Sequence, residues 1–269
     1  SATAVLAADI TIGAAFPLGG PNASYGDIFG SGANLARDHI NEDNLLGDKL
    51  RIQYEDTQAL PQQGVISMNK LVNVARVPYV LSAFTGVSKA ISTTAARTKT
   101  VAVNGGGAGP DLASLGAYFW NVIPLATDEV KAILPYLIKE KNLKKFVLVY
   151  VDDPLGEGIR KELETSLAQA GGELAESLSV PATMQQFAGI AARVRAANPD
   201  VIYIASYGSQ QSQMIKQFRD NGVKQQIASY SAFSIPETNA LPQAKEAVYT
   251  TQNIDWKSAD RVTKRFVDD

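Results

Sequence analysis

Cysteine is absent from this sequence of 269 residues, and histidine occurs only once, at position 39. Without cysteine the chain can form neither a disulfide nor a thiolate metal site. His39 lies in a helical pattern without a neighbouring set of metal ligands, so we expect a solvated or capping side chain and not a base. The sequence therefore predicts no metal and no cofactor.

Strong charge of either sign is also missing. The chain has 25 basic and 27 acidic residues, a net charge of -2, and no long run of one sign. A nucleic-acid surface needs clustered positive charge, so nucleic acid is excluded as an expected partner. No apolar run approaches the roughly 20 residues that cross a bilayer, so a membrane is expected only as a partner's location.

The first eight residues are mostly small and apolar, and the chain turns polar at Asp9. This pattern is typical of the end of a signal peptide, with Val5-Leu6-Ala7 as the cleavage site. An expression artefact or a disordered leader explains the same residues equally well. We expect an exported, periplasmic protein whose signal peptide has been removed.

Two similar series of strands and helices follow, and the 45% hydrophobic content supplies ample core material. Apolar runs bounded by turn formers predict strands, and apolar residues at helical spacing follow most of them. The predicted strands are 10–16, 50–56, one from Tyr79, 100–103, 145–151, 173–180 and 201–205. This order predicts an α/β protein with two Rossmann-like lobes, each a parallel sheet flanked by helices.

Ligands of such sheets bind beyond the carboxyl ends of the strands. The predicted loops at that edge are 17–25, 85–88, 104–109, 152–157 and 206–209. We expect them to face each other across a cleft. The loop at 85–88 offers hydroxyls and approachable amides at a helix start, which can hold a carboxylate without lysine or arginine.

The sequence gives little support to a catalytic function. The glycine run 105–109 follows a strand, but Pro110 breaks the dinucleotide-binding frame, and neither a P-loop nor a G-x-S-x-G elbow occurs. Glu55 and Asp56 end a strand, where exposed loop residues are expected and not an acid/base pair. The sequence therefore predicts no enzyme.

The chain resembles the type I periplasmic solute-binding proteins of branched-chain amino-acid importers. The resemblance is carried by Ile10-Thr-Ile-Gly, Gly19-Gly-Pro with Tyr25-Gly-Asp, Gly32-Ala, His39-Ile-Asn, Tyr54-Glu-Asp, Gly156-Glu-Gly and Tyr207-Gly, in this order over nearly the whole sequence. It implies a first lobe of residues 1–120 plus 251–269 and a second lobe of residues 121–250, closing at a hinge on a small ligand. Family members continue further, so a C-terminal part of both lobes is expected to be absent.

The resemblance also implies where the ligand binds. Hydroxyls and amides of the first lobe would take the ligand carboxylate, and Tyr25, Leu155 and Tyr207 match positions that border the ligand. The first-lobe residues are Thr85, Gly86, Val87, Ser88, Asn104, Gly105 and Gly106, with Gly107 at the end of that loop. Alternatively, Thr85 and Ser88 are helix caps and both tyrosines are packed aromatic residues.

Ser231 departs from the family pattern, because amino-acid binders of this group tend to carry a glutamate there for the ligand ammonium. An unpaired ammonium is costly to bury. We therefore expect a hydrophobic or aromatic carboxylate without an α-amino group, with Tyr230 and Phe233 near its apolar part. Asp153 is the alternative acid, which leaves a branched-chain amino acid open.

The resemblance thus implies a monomeric binding component of an ABC importer that delivers its ligand to an inner-membrane permease. Two alternatives remain: a ligand-sensing domain of a receptor or regulator, and a nucleotide-dependent α/β enzyme.

Overall fold

The computed structural model of the chain describes residues 9–252 and 254–269. The strands are β1 (Ile10–Phe16), β2 (Leu50–Asp56), β3 (Tyr79–Ala83), β4 (Val101–Gly106), β5 (Phe119–Asn121), β6 (Lys145–Val151), β7 (Glu173–Val180), β8 (Val201–Ala205), β9 (Gln226–Ser229) and β10 (Val248–Tyr249). The helices are α1 (Ala23–Glu42), α2 (Pro61–Asn69), α3 (Thr85–Thr98), α4 (Ala126–Pro135), α5 (Pro154–Ala170), α6 (Ala188–Ala197), α7 (Gly208–Asp220), α8 (Pro236–Asn239) and α9 (Arg261–Asp268). Wider π turns extend α2 to Val74 and α4 to Glu140.

The chain forms two compact units. Unit 1 contains the residues up to Gly106 together with Gly116–Val122 and Gln252–Asp269, and unit 2 contains Gly107–Leu115 and Ile123–Thr251. The predicted lobes divide near the same positions, at residues 120 and 251. The structure additionally assigns residues 107–115 to the second unit.

Unit 1 is built on a parallel sheet of order β2-β1-β3-β4-β5. Helix α1 packs on β1 and β2, whereas α2 and α3 pack together and α3 lies against β3, β4 and β5. At the carboxyl end of β2, the Asp56 carboxylate accepts hydrogen bonds from the amides of Leu18 at 2.9 Å and Gly19 at 3.2 Å. This acid therefore fixes the loop between β1 and α1.

Unit 2 is built on a second parallel sheet, of order β10-β9-β8-β6-β7. Alternate residues of β6 enter two different cores. Phe146 and Leu148 pack with α4 and α5, while Val147 and Val149 pack with α6 and α7. A strand covered on both faces reads as one continuous apolar run, which is why the sequence predicted β6 at its observed bounds.

Several helices begin earlier than the sequence predicted. α3 starts at Thr85 and not near Val87, α5 at Pro154 and not at Ile159, and α7 at Gly208 and not at Gln210. The residues expected in loops 85–88, 154–157 and 208–209 are therefore first turns of helices. The reason is that these turns begin on short polar or small residues, which carry no apolar periodicity of their own.

The C-terminal helix α9 is held to the end of α1 within unit 1. Arg265 pairs with Glu42 and Asp43, and Arg261 pairs with Asp43. His39 lies 2.8 Å from the Asp269 carboxylate, within hydrogen-bond distance, so its ring contacts the end of α9. Among the residues that the structure describes, no helix combines the length and apolar character that crossing a membrane requires.

Candidate functional site

The corner between β3 and α3 is the most unusual backbone feature of the candidate site. Phe84 connects the two elements with φ 66° and ψ 132°, a left-handed conformation that is costly for a bulky residue. No side chain caps α3. The first amides of a helix lack partners within the helix and attract anions. The corner therefore presents the first turn of α3, which includes Gly86 and Val87, at the carboxyl edge of the sheet.

The side chains of this first turn point mostly into unit 1. The Ser88 hydroxyl lies 3.0 Å from the buried Ser82 hydroxyl, and its amide donates to the Phe84 carbonyl at 2.9 Å. Thr85 and Val87 are also buried, while Gly86 is half-buried. The N-cap position of α3 is Phe84, and neither predicted cap, Thr85 or Ser88, occupies it. Ser88 therefore serves the interior of unit 1 through both of its polar groups.

The end of β4 lies beside this corner. Gly106 pairs with Ala83 across a bulge that follows the pairing of Ser82 with Asn104. Asn104 is fully buried; its amide nitrogen donates to the Asn121 side chain at 2.9 Å, and its oxygen accepts from the Gly106 amide at 3.3 Å. The predicted residues 104–106 thus end a strand and do not form a free loop.

Glycine is required at position 106 because two neighbours approach closely. A β-carbon there would lie 2.4 Å from the Phe29 ring and 2.9 Å from the Ala83 β-carbon. Gly105, in contrast, is exposed and has room for a β-carbon. The carboxyl ends of β3 and β4 therefore bring together glycine backbone and the first turn of α3.

Tyr25 borders the same corner. Its ring makes an edge-on contact with Phe84, with centroids 5.4 Å apart, and a tilted contact with Phe29 at 5.9 Å. The ring is buried, so Tyr25 is a packed aromatic residue that supports the strained corner.

In unit 2, Asp153 is the first predicted residue at the carboxyl end of β6. Its carboxylate caps α5 by accepting the Gly156 amide at 2.9 Å and also accepts the Tyr207 hydroxyl at 2.7 Å. Burial raises the pKa of the Asp153 carboxyl above its ordinary value, although both hydrogen bonds act in the opposite direction. Both residues are half-buried, whereas Leu155 belongs to the core on the α4 and α5 side.

The sequence suggested that no acid lies at the position of Ser231, but the structure places a carboxylate beside it. Its amide and hydroxyl donate to the two oxygens of Glu129, at 2.6 and 2.8 Å, and the Thr250 hydroxyl donates to the same carboxylate at 2.6 Å. Glu129 is only 6% exposed. Its negative charge also contributes to the raised pKa of the buried Tyr203 phenol, for which burial is the larger cause. We call Glu129, Ser231 and Thr250 the carboxylate cluster.

The aromatic residues near Ser231 lie in the core of unit 2. Phe233 is 1% exposed and stacks on Tyr249 with ring centroids 4.9 Å apart. Tyr230 is buried in the core on the opposite face of the sheet. The expectation that Tyr230 and Phe233 both lie near the apolar part of one ligand does not fit this placement, because the two side chains are buried in different cores of unit 2.

Two acids with clear roles were not identified from the sequence. Glu129 lies in the first turn of α4, on the apolar stripe formed by Ala126, Val130 and Ile133. An acid within such a stripe is a usable signal for a buried carboxylate. Asp56 was expected to be an exposed loop residue but fixes the loop after β1.

A model of the family described as periplasmic binding protein matches residues 9–269. Among curated proteins, the chain is 25% identical to a Leu/Ile/Val-binding protein homologue of Brucella melitensis over 87% of this chain and 64% of that protein. It is also 25% identical to the leucine-specific-binding protein of Salmonella typhimurium, over 82% of this chain and 61% of that protein. The chain thus spans less than two thirds of the length of these relatives.

Solved structures share the fold. A solute-binding protein of an ABC transporter from Rhodopseudomonas palustris, in complex with benzoate, superposes with a TM-score of 0.87 at 17% identity, covering 97% of this chain and 73% of that one. A leucine-binding protein from Thermotoga maritima superposes with a TM-score of 0.83 at 18% identity, covering 96% of this chain and 74% of that one. Both have the two-unit parallel α/β architecture described above.

Proposed function

Because the chain belongs to the periplasmic binding protein family, we propose that it is the periplasmic ligand-binding component of an ABC importer and takes a small hydrophobic or aromatic carboxylate. It performs no chemistry on the ligand and hands it to a membrane permease. Closure of the two units on the ligand, which the family resemblance implies, stays a prediction.

The observation that carries the proposal is the uncapped first turn of α3 beside the glycine end of β4. The Gly86 amide and the Thr85 hydroxyl are the groups that we propose for the ligand carboxylate, whereas the Gly106 amide already donates to Asn104. A hydrogen bond to a charged group contributes about 1.5 to 3 kcal/mol, so two or three of them suffice without a basic residue. Ser88 and Asn104 support this site from inside unit 1.

The absence of an ammonium group from the ligand is supported by the carboxylate cluster. Glu129 already accepts three hydrogen bonds from the protein, and Asp153 accepts two. Both acids are thereby engaged by donors of the protein, and Glu129, which is 6% exposed, offers little surface to a ligand ammonium. The similar proteins include binders of both chemistries, benzoate and leucine, so the choice has to be made by experiment.

Calorimetry and thermal shift with matched ligands test the proposal. We expect benzoate, 4-hydroxybenzoate or phenylpyruvate to stabilise the protein, by about 2.7 kcal/mol when the ligand is at 100 times its Kd, while benzamide does not. Binding of leucine or valine without binding of these acids would show the ligand class to be wrong. Turnover of a nucleotide-dependent substrate would contradict the transport role.

A pair of variants in α3 locates the site. Thr85→Val keeps the shape of the buried side chain but removes the hydroxyl, and we expect at least a tenfold weaker Kd for the carboxylate. Thr93→Val makes the same change at an exposed position of the same helix and leaves the Kd unchanged. Equal affinities for the two variants would remove the α3 corner from the proposal without affecting the assigned family.

A further inference from the structure

Unit 1 contains a long stretch without any acidic residue. The 50 residues from Thr57 to Gly106 include five lysines and arginines but no aspartate or glutamate. In the whole chain 27 of 269 residues are acidic, so about five acids would be expected in a stretch of this length. The chain as a whole has a net charge of -2, so the positive charge of this stretch is a local property.

Helices α2 and α3 form the outer layer of this stretch. α2 joins β2 to β3 and α3 joins β3 to β4, so both helices run toward the amino edge of the parallel sheet. They pack against each other, and their inner residues, such as Met68, Leu71 and Ile91, are fully buried. Each helix therefore turns its other side to solvent.

The basic residues collect where the two helices end. These ends are neighbours, because the Val101 amide donates to the Pro78 carbonyl at 3.1 Å a few residues beyond both of them. We call the exposed basic side chains at these ends the basic face, which consists of Lys70, Arg76, Arg97 and Lys99.

Most of the basic face has no acid to neutralise it. Lys70 pairs with Glu55 at 3.1 Å. Among the residues that the structure describes, no acid lies within ion-pair distance of Arg76, Arg97 or Lys99. Three positive charges are therefore exposed and unpaired on one side of unit 1.

The helix dipole does not account for this pattern. A helix favours acids in its first turn and bases in its last turn. Arg97 and Lys99 follow the second preference, but neither α2 nor α3 has an acid in its first turn, whereas α4 and α5 do. The missing acids leave the surface positive, which favours a partner that carries negative charge.

We propose that the basic face rests on an anionic lipid surface. Such a surface attracts each nearby lysine or arginine and requires no fixed spacing between them. Ile66, Lys70 and Val74 follow one another at four-residue spacing, and the isoleucine is 49% and the valine 80% exposed. Exposed apolar side chains thus accompany the charges, as on helices that bind at a membrane interface.

An acidic protein fits the same surface less well. A protein interface is centred on buried, mostly aromatic anchors, and its charges lie at the rim. Here the charges occupy two helix ends, and the apolar residues beside them are aliphatic. In an importer the lipid contact would keep the protein near the membrane that holds the permease. This consequence rests on the proposed function, whereas the contact itself does not.

Cosedimentation with lipid vesicles tests the proposal. The protein is mixed at low ionic strength with vesicles of equal parts phosphatidylglycerol and phosphatidylcholine, or of phosphatidylcholine alone, and the bound fraction gives a partition constant. We expect binding to the anionic vesicles only. One lysine or arginine near an anionic surface changes binding about fivefold, so Arg97→Gln with Lys99→Gln should lower the partition constant at least tenfold.

The matched control is Lys161→Gln with Lys216→Gln, which removes two exposed positive charges from unit 2. It changes the net charge by the same amount and should leave the partition constant unchanged. The proposal fails if the anionic vesicles bind no protein, or if the two double variants weaken binding equally.

Two further outcomes would overturn the lipid assignment. If inorganic phosphate releases the protein from the vesicles where sodium chloride of equal ionic strength does not, the face holds a phosphate group and not a membrane surface. If polyglutamate binds through Arg97 and Lys99 and the vesicles do not, the partner is an acidic protein. The vesicles contain neither permease nor transported ligand, so none of these results decides the proposed transport function.

Discussion

Replacing Glu129 by alanine should destabilise unit 2 more than any exposed acid does. The carboxylate joins three segments that are far apart in sequence: the start of α4, the turn at Ser231 and the residue Thr250 after β10. Each hydrogen bond to a charged acceptor contributes about 1.5 to 3 kcal/mol before the cost of burying the charge is subtracted. Ser231 and Thr250 are half-buried, so in the variant water can replace part of the hydrogen bonding that they lose.

From these hydrogen-bond energies and the cost of burying the charge, we expect Glu129→Ala to lower the free energy of unfolding by about 3 kcal/mol. Glu129→Gln should lower it by about half as much, because one oxygen remains an acceptor while the amide nitrogen faces a donor. The control is Asp128→Ala, which removes an exposed acid from the same helical turn. An exposed acid near a helix start contributes only about 0.3 to 1 kcal/mol.

The assay must separate the two units. Both tryptophans belong to unit 1, so urea unfolding is followed by circular dichroism and by amide hydrogen exchange of residues 226–250. The loss of protection against hydrogen exchange should concentrate in this segment. The double variant Glu129→Ala with Ser231→Ala should lower the free energy of unfolding by less than the sum of the two single variants. A loss for Glu129→Ala no larger than for Asp128→Ala, or strictly additive singles, would refute the reasoning.

Three further predictions concern pH and backbone. Burial raises the pKa of the Asp153 carboxyl above its ordinary value of 3.8. The free energy of unfolding of the wild type, relative to that of Asp153→Asn, should therefore fall as the pH rises from 3 to 7. Urea unfolding at pH 3 and at pH 7 measures this difference, and a difference that does not change with pH contradicts the prediction. Lys99→Gly should stabilise by about 1 kcal/mol, because Lys99 ends α3 with φ 56°; thermal unfolding without a gain would count against it. Gly156→Ala should cost more than 3 kcal/mol, since its β-carbon would lie 1.9 Å from the Val151 carbonyl oxygen, whereas Gly189→Ala, in open space at a comparable helix start, should be neutral or stabilising.

The strands were the most predictable part of the molecule. β1, β2, β6, β7 and β8 occupy the residues that the sequence predicted, because each is an apolar or alternating run bounded by turn formers. The order of these runs predicted two parallel sheets, and the family resemblance rested on short pieces in that order. Helix starts were less predictable: α5, for example, begins at a proline after a capping aspartate, before its apolar stripe.

The partners of polar side chains were beyond the sequence. Ser231 and Glu129 are 102 positions apart, so no local pattern links the serine to the acid that it binds. Ser88 follows Ser82 closely in sequence, yet only the turn at Phe84 brings their hydroxyls to 3.0 Å and points Ser88 into the interior. With the Ser88 hydroxyl turned inward, the predicted carboxylate site relies more on backbone amides and less on side-chain hydroxyls than the sequence suggested.

By itself, the sequence determined the α/β class, the repeated strand and helix order, the family and the strand ends at which a ligand is expected, because buried periodicity and turn residues are local properties. Only the tertiary structure decided which polar groups remain available at those ends and where the buried acid of unit 2 lies. These depend on register and on contacts between residues distant along the chain. Local patterns place a residue on an element, but only packing selects its partner.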